Sequence, residues 1–214
     1  MELKSIGQFE RAGRRARSDS FRLGVGLIFV VGVMLYTSLT QGIGGPQGVI
    51  LVAAAVIGGY MAMNIGANDV ANNVGPAVGS RAISMVGALL LAMVFEVAGA
   101  LIAGGDVVTT IQKGIISAEV IGDADRFLWL MTAALLAGAV WLNVATAIGA
   151  PVSTTHAIIG AVLGAGLAAG GSEAARWGPL GGIAASWVIS PLMGGGIAAA
   201  FLYWIKRSIT WRGD

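Results

Sequence analysis

The sequence predicts an all-α membrane protein, a polytopic bundle of transmembrane helices in which some helices are broken or re-entrant. Its 214 residues are 56% hydrophobic and only 11% charged, and the mean hydropathy is +0.81. A soluble domain carries about 25% charged residues, because it has to cover its surface with polar groups. Apolar runs of membrane-spanning length recur along the chain, and polar clusters interrupt them. These observations favour an integral membrane protein over a soluble domain.

Apolar runs define the predicted spans, and they cover residues 23–40, 49–65, 82–104, 127–148, 157–169 and 180–205. The short apolar piece 107–116 is predicted to be re-entrant or interfacial, because it is too short to cross a bilayer. Ser190-Pro191 and the glycines at 194–196 are expected to interrupt the last run. The pattern predicts about five to seven crossings. Short interrupted segments leave open whether that number is even or odd.

The charge distribution divides the chain into a basic cytoplasmic arm at 1–22, a transmembrane region at 23–206 and a polar tail at 207–214. The arm holds six basic residues: Lys4, Arg11, Arg14, Arg15, Arg17 and Arg22. Positive charge beside a span marks the cytoplasmic side, and we favour this explanation over nucleic-acid binding. The expected surroundings are therefore the lipid bilayer of the cell (inner or plasma) membrane, with no nucleic-acid partner.

The first polar cluster, GANDVANN at 66–73, follows directly on an apolar run and contains Asp69. A charge at membrane depth is costly, so such an acid usually lines an ion or substrate path. Asn68, Asn72 and Asn73 add carboxamide oxygens, and the glycines and Pro76 are expected to unwind the backbone. Oxygen ligands of this kind suit a hard cation such as Na⁺. An ordinary polar loop, or an ion pair with Arg81, remains an alternative.

The second polar cluster, PVSTTH at 151–156, indicates the start of a helix. Free backbone N–H groups and the positive end of the helix dipole bind anions there, phosphate especially. Ser153, Thr154 and Thr155 are therefore candidate phosphate ligands, although simple helix capping explains the same residues. His156 is the only histidine, and a structural role is favoured for it over proton relay.

Glu96 is another acid in the middle of an apolar run, and it is expected to face the bundle interior near the cation path. Asp106 and Lys113 lie near segment ends, where solvated placements cost little, and they rank lower. The chain has no phosphate loop, zinc-protease motif or nucleophile elbow, so an enzyme is not expected.

Several strings resemble the Pit-type inorganic phosphate transporter family across residues 49–206. They are GANDVAN at 66–72, VGSRA at 78–82, FEVAGA at 95–100, TIQKGII at 110–116, PVSTTH at 151–156 and WVISP at 187–191. The resemblance implies symport of inorganic phosphate with Na⁺ or H⁺, without a resident cofactor. By the same resemblance, Asp69, Asn68 and Asn72 serve cation and phosphate binding, and Ser153, Thr154 and Thr155 hold phosphate.

Members of this family carry both motifs in each of two inverted repeats, whereas each motif occurs once here. The chain thus resembles one half of an inverted-repeat transporter, which builds its site between both repeats. A second transporter half or a homo-oligomer is the expected partner. The alternatives are a permease for sulfate or a metal–phosphate complex, and a non-transporting half-permease that acts only with a partner chain.

Overall fold

The computed structural model describes residues 2–41 and 44–211 of the chain. Its helices are α1 (Glu2–Gln41), α2 (Gly45–Gly79), α3 (Met85–Gly114), α4 (Ala118–Ile121), α5 (Ala124–Ala147), α6 (Thr154–Gly170) and α7 (Trp177–Ile205). A 3₁₀ turn (Gly171–Ala174) follows α6, and a π-helical turn (Lys206–Thr210) follows α7. The described residues form no β-strand beyond one isolated bridge. The predicted all-α class is confirmed.

Among the described residues, six helices are long and apolar enough to cross a membrane, and this number lies within the predicted range. They are Ser20–Gln41, Gly45–Gly79, Met85–Ile111, Ala124–Ala147, Thr154–Ala174 and Trp177–Thr210. The first of these is the C-terminal part of α1, which continues without a break from the predicted basic arm. The side chains of residues 2–19, and residues 212–214 of the predicted tail, lie outside the described part. The three predicted regions stay predictions.

Polar side chains cap the N-termini of three of the described helices. Ser84 Oγ accepts the Gly87 N–H at the start of α3, and Asp123 accepts the Arg126 N–H at the start of α5. Ser153 accepts the His156 N–H at the start of α6. Each cap satisfies one of the backbone donors that a helix leaves unpaired in its first turn. The predicted helix start after Pro151 is thus confirmed.

Three of the predicted interruptions are wrong, because the helices continue through them. Residues 66–79 belong to α2, residues 107–114 are the end of α3, and α7 runs through Pro191 and the glycines at 194–196. In α2 the amide side chains find partners on neighbouring elements, so the backbone does not have to unwind. In α3 the Thr109 and Thr110 hydroxyls bond to carbonyls four residues back and leave the helix intact.

Helix α5 forms the centre of the bundle, with α2 and α6 packed against it. Ala139 and Leu142 of α5 are completely buried. Gly138 permits the close approach, since a Cβ added there would lie 3.2 Å from Met61 Cε and 3.6 Å from Ala161 Cβ. Small residues commonly let membrane helices approach in this way. This packing brings the middle of α2 beside the connection between α5 and α6.

A second core lies beneath the end of α6. Ile115 and Ile116 follow α3 and are buried, and the backbone of this segment pairs with the segment after α6. The Ser117 N–H donates to Ala174 O at 2.8 Å, and the Arg176 N–H donates to Ile115 O at 2.9 Å. Gly166 of α6 lies directly over Ile116, where an added Cβ would overlap the isoleucine side chain. The end of α3 is thereby fixed against α6.

Candidate functional site

Asn68 connects the two polar clusters that the sequence singled out. It lies on α2 and is only 6% exposed. Its Nδ2 donates to Thr146 Oγ1 at 3.2 Å and to the Ala150 carbonyl at 3.3 Å, on α5 and on the connection that follows it. Its Oδ1 accepts from the Val152 N–H at 3.4 Å and from Asn72 Nδ2 at 3.2 Å. Both ends of the amide are therefore used within the chain.

A second amide pair joins α2 to α5 one helical turn away. Asn143 Nδ2 donates to Asn64 Oδ1 at 3.0 Å, and Asn64 Nδ2 donates to the Tyr60 carbonyl at 2.9 Å. Asn64 is 6% exposed. Asn143 was not among the candidate residues, although a lone amide inside the apolar run 127–148 is a signal for such a contact.

Asp69 lies next to this network and is half-buried. Within the described chain its carboxylate has neither a hydrogen bond nor an ion pair. The alternative of an ion pair with Arg81 is wrong: Arg81 is exposed in the turn after α2, at a positive φ of 61°. Ten helical residues between Asp69 and the end of α2 span about 15 Å, which separates the two charges. Asp69 is available to a cation.

The second cluster forms the N-terminus of α6. Ser153 is the N-cap residue, and its Oγ accepts the His156 N–H at 3.3 Å. Thr155 is exposed, whereas Thr154 is 8% exposed and its buried Oγ1 has no partner among the described residues. The predicted cap and the predicted anion-binding helix end are thus one structure. Its free backbone N–H groups lie at the positive end of the helix dipole.

A cavity of about 610 Å³, here called the α6 cavity, opens beside this helix end between α3, α6 and α7. Apolar side chains line most of it, among them Ile111, Ile115 and Ile159. Its polar lining consists of Asp106, Thr110, Ser153, Thr155, His156, Ser186, Trp187 and Ser190. No Lys or Arg is among the described residues that line it. The cavity therefore offers hydroxyl and N–H donors, and one carboxylate.

Trp187 of α7 lines this cavity and has an unpaired donor. Its ring stacks on His156, with centroids 3.8 Å apart and planes at 34°. The indole Nε1 is buried and has no hydrogen-bond partner among the described residues. An indole N–H can only donate, and leaving a buried donor unpaired costs about 1–3 kcal/mol. Such a donor at the wall of a mostly apolar cavity is suited to an acceptor brought by a ligand.

The predicted site residues fall into separate groups. Ser153 and Thr155 line the α6 cavity, whereas Asn68, Asn72 and Asp69 lie at the contact of α2 with α5. Asn68 links the two groups through the connection at 150–152. The expectation that Glu96 faces the interior of this bundle is wrong. It is exposed in the middle of α3, where no other described helix covers it.

The cavity also contains residues that sequence reasoning did not select. Asp106 was ranked low as a residue near a segment end, but α3 continues to Gly114 and places it on the cavity wall. Trp187 and Ser190 belong to the WVISP string, whose signal was its resemblance alone. Thr110 begins the TIQKGII string, whose signal was likewise its resemblance, and Ser186 had no sequence signal. Only the packing of α3 and α7 around α6 brings these residues together.

Known proteins resemble the chain over most of its length. A model of the phosphate transporter family matches residues 65–214. The "Putative phosphate permease" of Helicobacter pylori (strain ATCC 700392 / 26695) is 55% identical over the whole chain, which covers 40% of that relative. The "Inorganic phosphate transporter 2-1, chloroplastic" of Arabidopsis thaliana is 43% identical over 80% of the chain and 30% of the relative.

A solved structure, "The sodium-dependent phosphate transporter", matches with a TM-score of 0.70 and 39% identity, over 78% of this chain and 41% of that one. The chain thus spans about 40% of the length of the first relatives that it matches. The family and the solved neighbour are transporters rather than enzymes, and the membrane-length helices fit a multi-pass membrane protein. By the extent of these matches, the chain belongs to the phosphate transporter family.

Proposed function

We propose that this chain is part of a symporter that carries inorganic phosphate across the cell membrane together with a cation. The observation that carries the proposal is the α6 cavity, where a helix N-terminus, hydroxyl groups and an unpaired indole N–H meet. Two relatives are named for phosphate, and the solved neighbour is named as sodium-dependent. Among coupling ions we therefore favour sodium over the proton.

Phosphate binds at the N-terminal end of α6 in this proposal. The Ser153 and Thr155 hydroxyls and the Trp187 indole donate to its oxygens, and Thr154 contributes its backbone N–H. Because no basic side chain is among the described lining residues, the positive end of the helix supplies the favourable potential. Hydrogen bonds to a charged group contribute about 1.5–3 kcal/mol each, so a few of them hold an anion without lysine.

The cation binds at Asp69. Its carboxylate is half-buried and unpaired in the described chain, and Asn72 lies one turn further along α2, where its Oδ1 is available. A carboxylate and an amide oxygen are ligands for a hard cation. The side-chain amide of Asn68 already has hydrogen-bond partners within the chain at both Nδ2 and Oδ1. We therefore assign Asn68 to coupling rather than to direct binding of phosphate. Glu96 remains a candidate for the cation path only where another part of the transporter covers it.

Asn68 provides the coupling between the two sites. It bonds to Asn72 on the cation side, and to the Ala150 carbonyl and the Val152 N–H on the phosphate side. A cation at Asp69 that orders Asn72 thereby also orders the connection that leads into Ser153. Each ligand then favours the same arrangement of the α5–α6 connection, which is the requirement for coupled binding.

The remainder of the transport path comes from a second portion of the protein or from a partner chain. The chain matches about 40% of the length of its relatives, and α7 has no buried residue in the described structure. Transporters of the inverted-repeat type build their site between two halves. In the alternative proposal this chain is a half-permease that transports only with its partner.

Uptake of labelled phosphate by proteoliposomes tests this function, with the chain reconstituted alone and with the complementary half of a relative. We expect uptake that requires an inward sodium gradient, disappears in Asp69→Asn and persists in the matched control Asp125→Asn, an exposed acid at the start of α5. Unchanged uptake in Asp69→Asn would contradict the cation site. Uptake driven by a pH gradient alone would assign the proton, and equal uptake of sulfate would favour the sulfate permease.

A further inference from the structure

We infer that Asp106 is the specificity-determining residue of the α6 cavity, and that it admits oxyanions that carry a proton while it excludes sulfate. This inference rests on the proposed phosphate site. Asp106 lies on α3 and lines the same cavity as Ser153 and Thr155. Its backbone carbonyl accepts the Thr110 hydroxyl at 2.9 Å. Its carboxylate has no partner within the described chain, although it lies on a membrane-length helix.

The inventory of donors and acceptors in the cavity points to the chemistry of the ligand. The α6 N-terminus and the Trp187 indole can only donate, whereas hydroxyl groups and the imidazole of His156 can do either. The Asp106 carboxylate can only accept. A ligand that satisfies the whole cavity therefore has several acceptor oxygens and at least one O–H directed at Asp106.

Phosphate and sulfate differ in this respect. Both are tetrahedral oxyanions of similar size, but phosphate near neutral pH keeps at least one O–H, whereas sulfate has none. Phosphate can donate to Asp106, while sulfate would place oxygen lone pairs against a carboxylate. A site built to bond a ligand O–H rejects an analogue without it, because the group that accepts this O–H stays unpaired. The repulsion of like charges adds to this discrimination.

A sodium ion on Asp106 is the competing explanation. Two other features of the cavity argue against it, because the Trp187 N–H and the positive end of α6 both repel a cation. Asp69 lies outside the described lining of the cavity. Asp106 thus lies in the proposed anion site, whereas Asp69 does not. We therefore assign Asp106 to the O–H of the bound oxyanion and Asp69 to the cation.

Equilibrium binding to the chain in lipid nanodiscs tests the inference. Labelled phosphate is bound at fixed sodium and displaced by unlabelled phosphate or by sulfate. For the unmodified chain we expect sulfate to be weaker by about 100-fold. In Asp106→Asn the amide donates to sulfate, so the ratio should fall at least about tenfold, while Asp106→Glu restores it. Asp125→Asn is the control and should keep the original ratio.

The outcomes separate this inference from the proposed function. Absence of phosphate binding to the unmodified chain would overturn the phosphate site itself. Phosphate binding with an unchanged sulfate ratio in Asp106→Asn would overturn only the inference. Equal weakening of both anions in Asp106→Asn and Asp106→Glu, with a lowered temperature of thermal unfolding, would make the residue structural and overturn the inference. If phosphate binding to Asp106→Asn no longer depends on sodium while the ratio of phosphate to sulfate affinity is unchanged, Asp106 binds the cation and the inference is overturned.

Discussion

The polar side chains between α2 and α5 differ from those of the α6 cavity in how their hydrogen bonds are satisfied. At the helix interface, Asn64 and Asn68 are buried and bond to groups of the chain itself. In the cavity, the Trp187 N–H and the Asp106 carboxylate have no partner in the described structure. The Trp187 N–H is buried, and a buried polar group without a partner costs free energy. The satisfied region holds helices together, and the unsatisfied region fits a ligand.

Of the changes proposed here, removing the Asn68 amide at the contact of α2 with α5 should lower the free energy of unfolding the most. Asn68→Leu leaves the Ala150 carbonyl and the Val152 N–H without their partner, and we expect a loss of about 2–3 kcal/mol in the free energy of unfolding. Denaturant unfolding in mixed micelles measures it. Asn73→Leu is the matched control, because Asn73 is exposed and has no hydrogen bond in the described chain. Equal losses in both variants would contradict the role of Asn68.

Filling the contact beneath α6 should have the next largest effect. Gly166→Leu forces a side chain into Ile116, and overpacking of this kind costs about 1–3 kcal/mol. Gly164→Leu places the same side chain on the same helix where nothing lies within 4 Å. Thermal unfolding of the two variants should therefore differ clearly. If Gly164→Leu is the less stable variant, the packing of α6 on the end of α3 is not as described.

Loss of one hydroxyl in the cavity should affect binding and leave stability unchanged. Thr155→Val keeps the shape of the side chain, and we expect phosphate to bind about tenfold more weakly. Thr40→Val is the control, because that hydroxyl bonds only within α1. Titration with labelled phosphate measures both. If Thr40→Val weakens phosphate binding to the same degree, the α6 cavity is not the phosphate site.

The smallest expected effect comes from the Trp187 indole N–H. Trp187→Phe keeps an aromatic ring against His156 but removes the unpaired donor. We expect phosphate to bind about three- to fivefold more weakly, with an unfolding free energy that is equal or slightly higher. Trp129→Phe, at an exposed position of α5, controls for loss of an indole. A clear loss of stability without a change in binding would give the N–H a structural role.

Much of this fold is readable from local sequence. The apolar runs locate the membrane helices, and the sequence from Pro151 to Thr155 correctly predicts the start of α6 with Ser153 as its cap. The length and the hydropathy of a membrane helix are properties of one continuous segment, so they can be predicted from the sequence alone.

The continuity of α2 and the composition of the cavity depend on contacts between distant segments. Residues 66–79 were expected to unwind, but Thr146 and Ala150 supply partners for Asn68 from 78 and 82 positions away. The apolar run 82–104 ends before Asp106, so the sequence places this residue near a segment end. Because α3 continues to Gly114, Asp106 instead lies on the cavity wall. Local patterns contain no information on which helix covers which.

The most direct test measures the distance from bound phosphate to the cavity wall. Solid-state NMR can detect dipolar coupling between ³¹P of phosphate and ¹⁵N in the indole rings, of which the chain has six. A hydrogen bond from Trp187 places the two nuclei about 4 Å apart, so we predict one strongly coupled indole that is lost in Trp187→Phe. Bound phosphate with no indole nitrogen within that range would contradict the account.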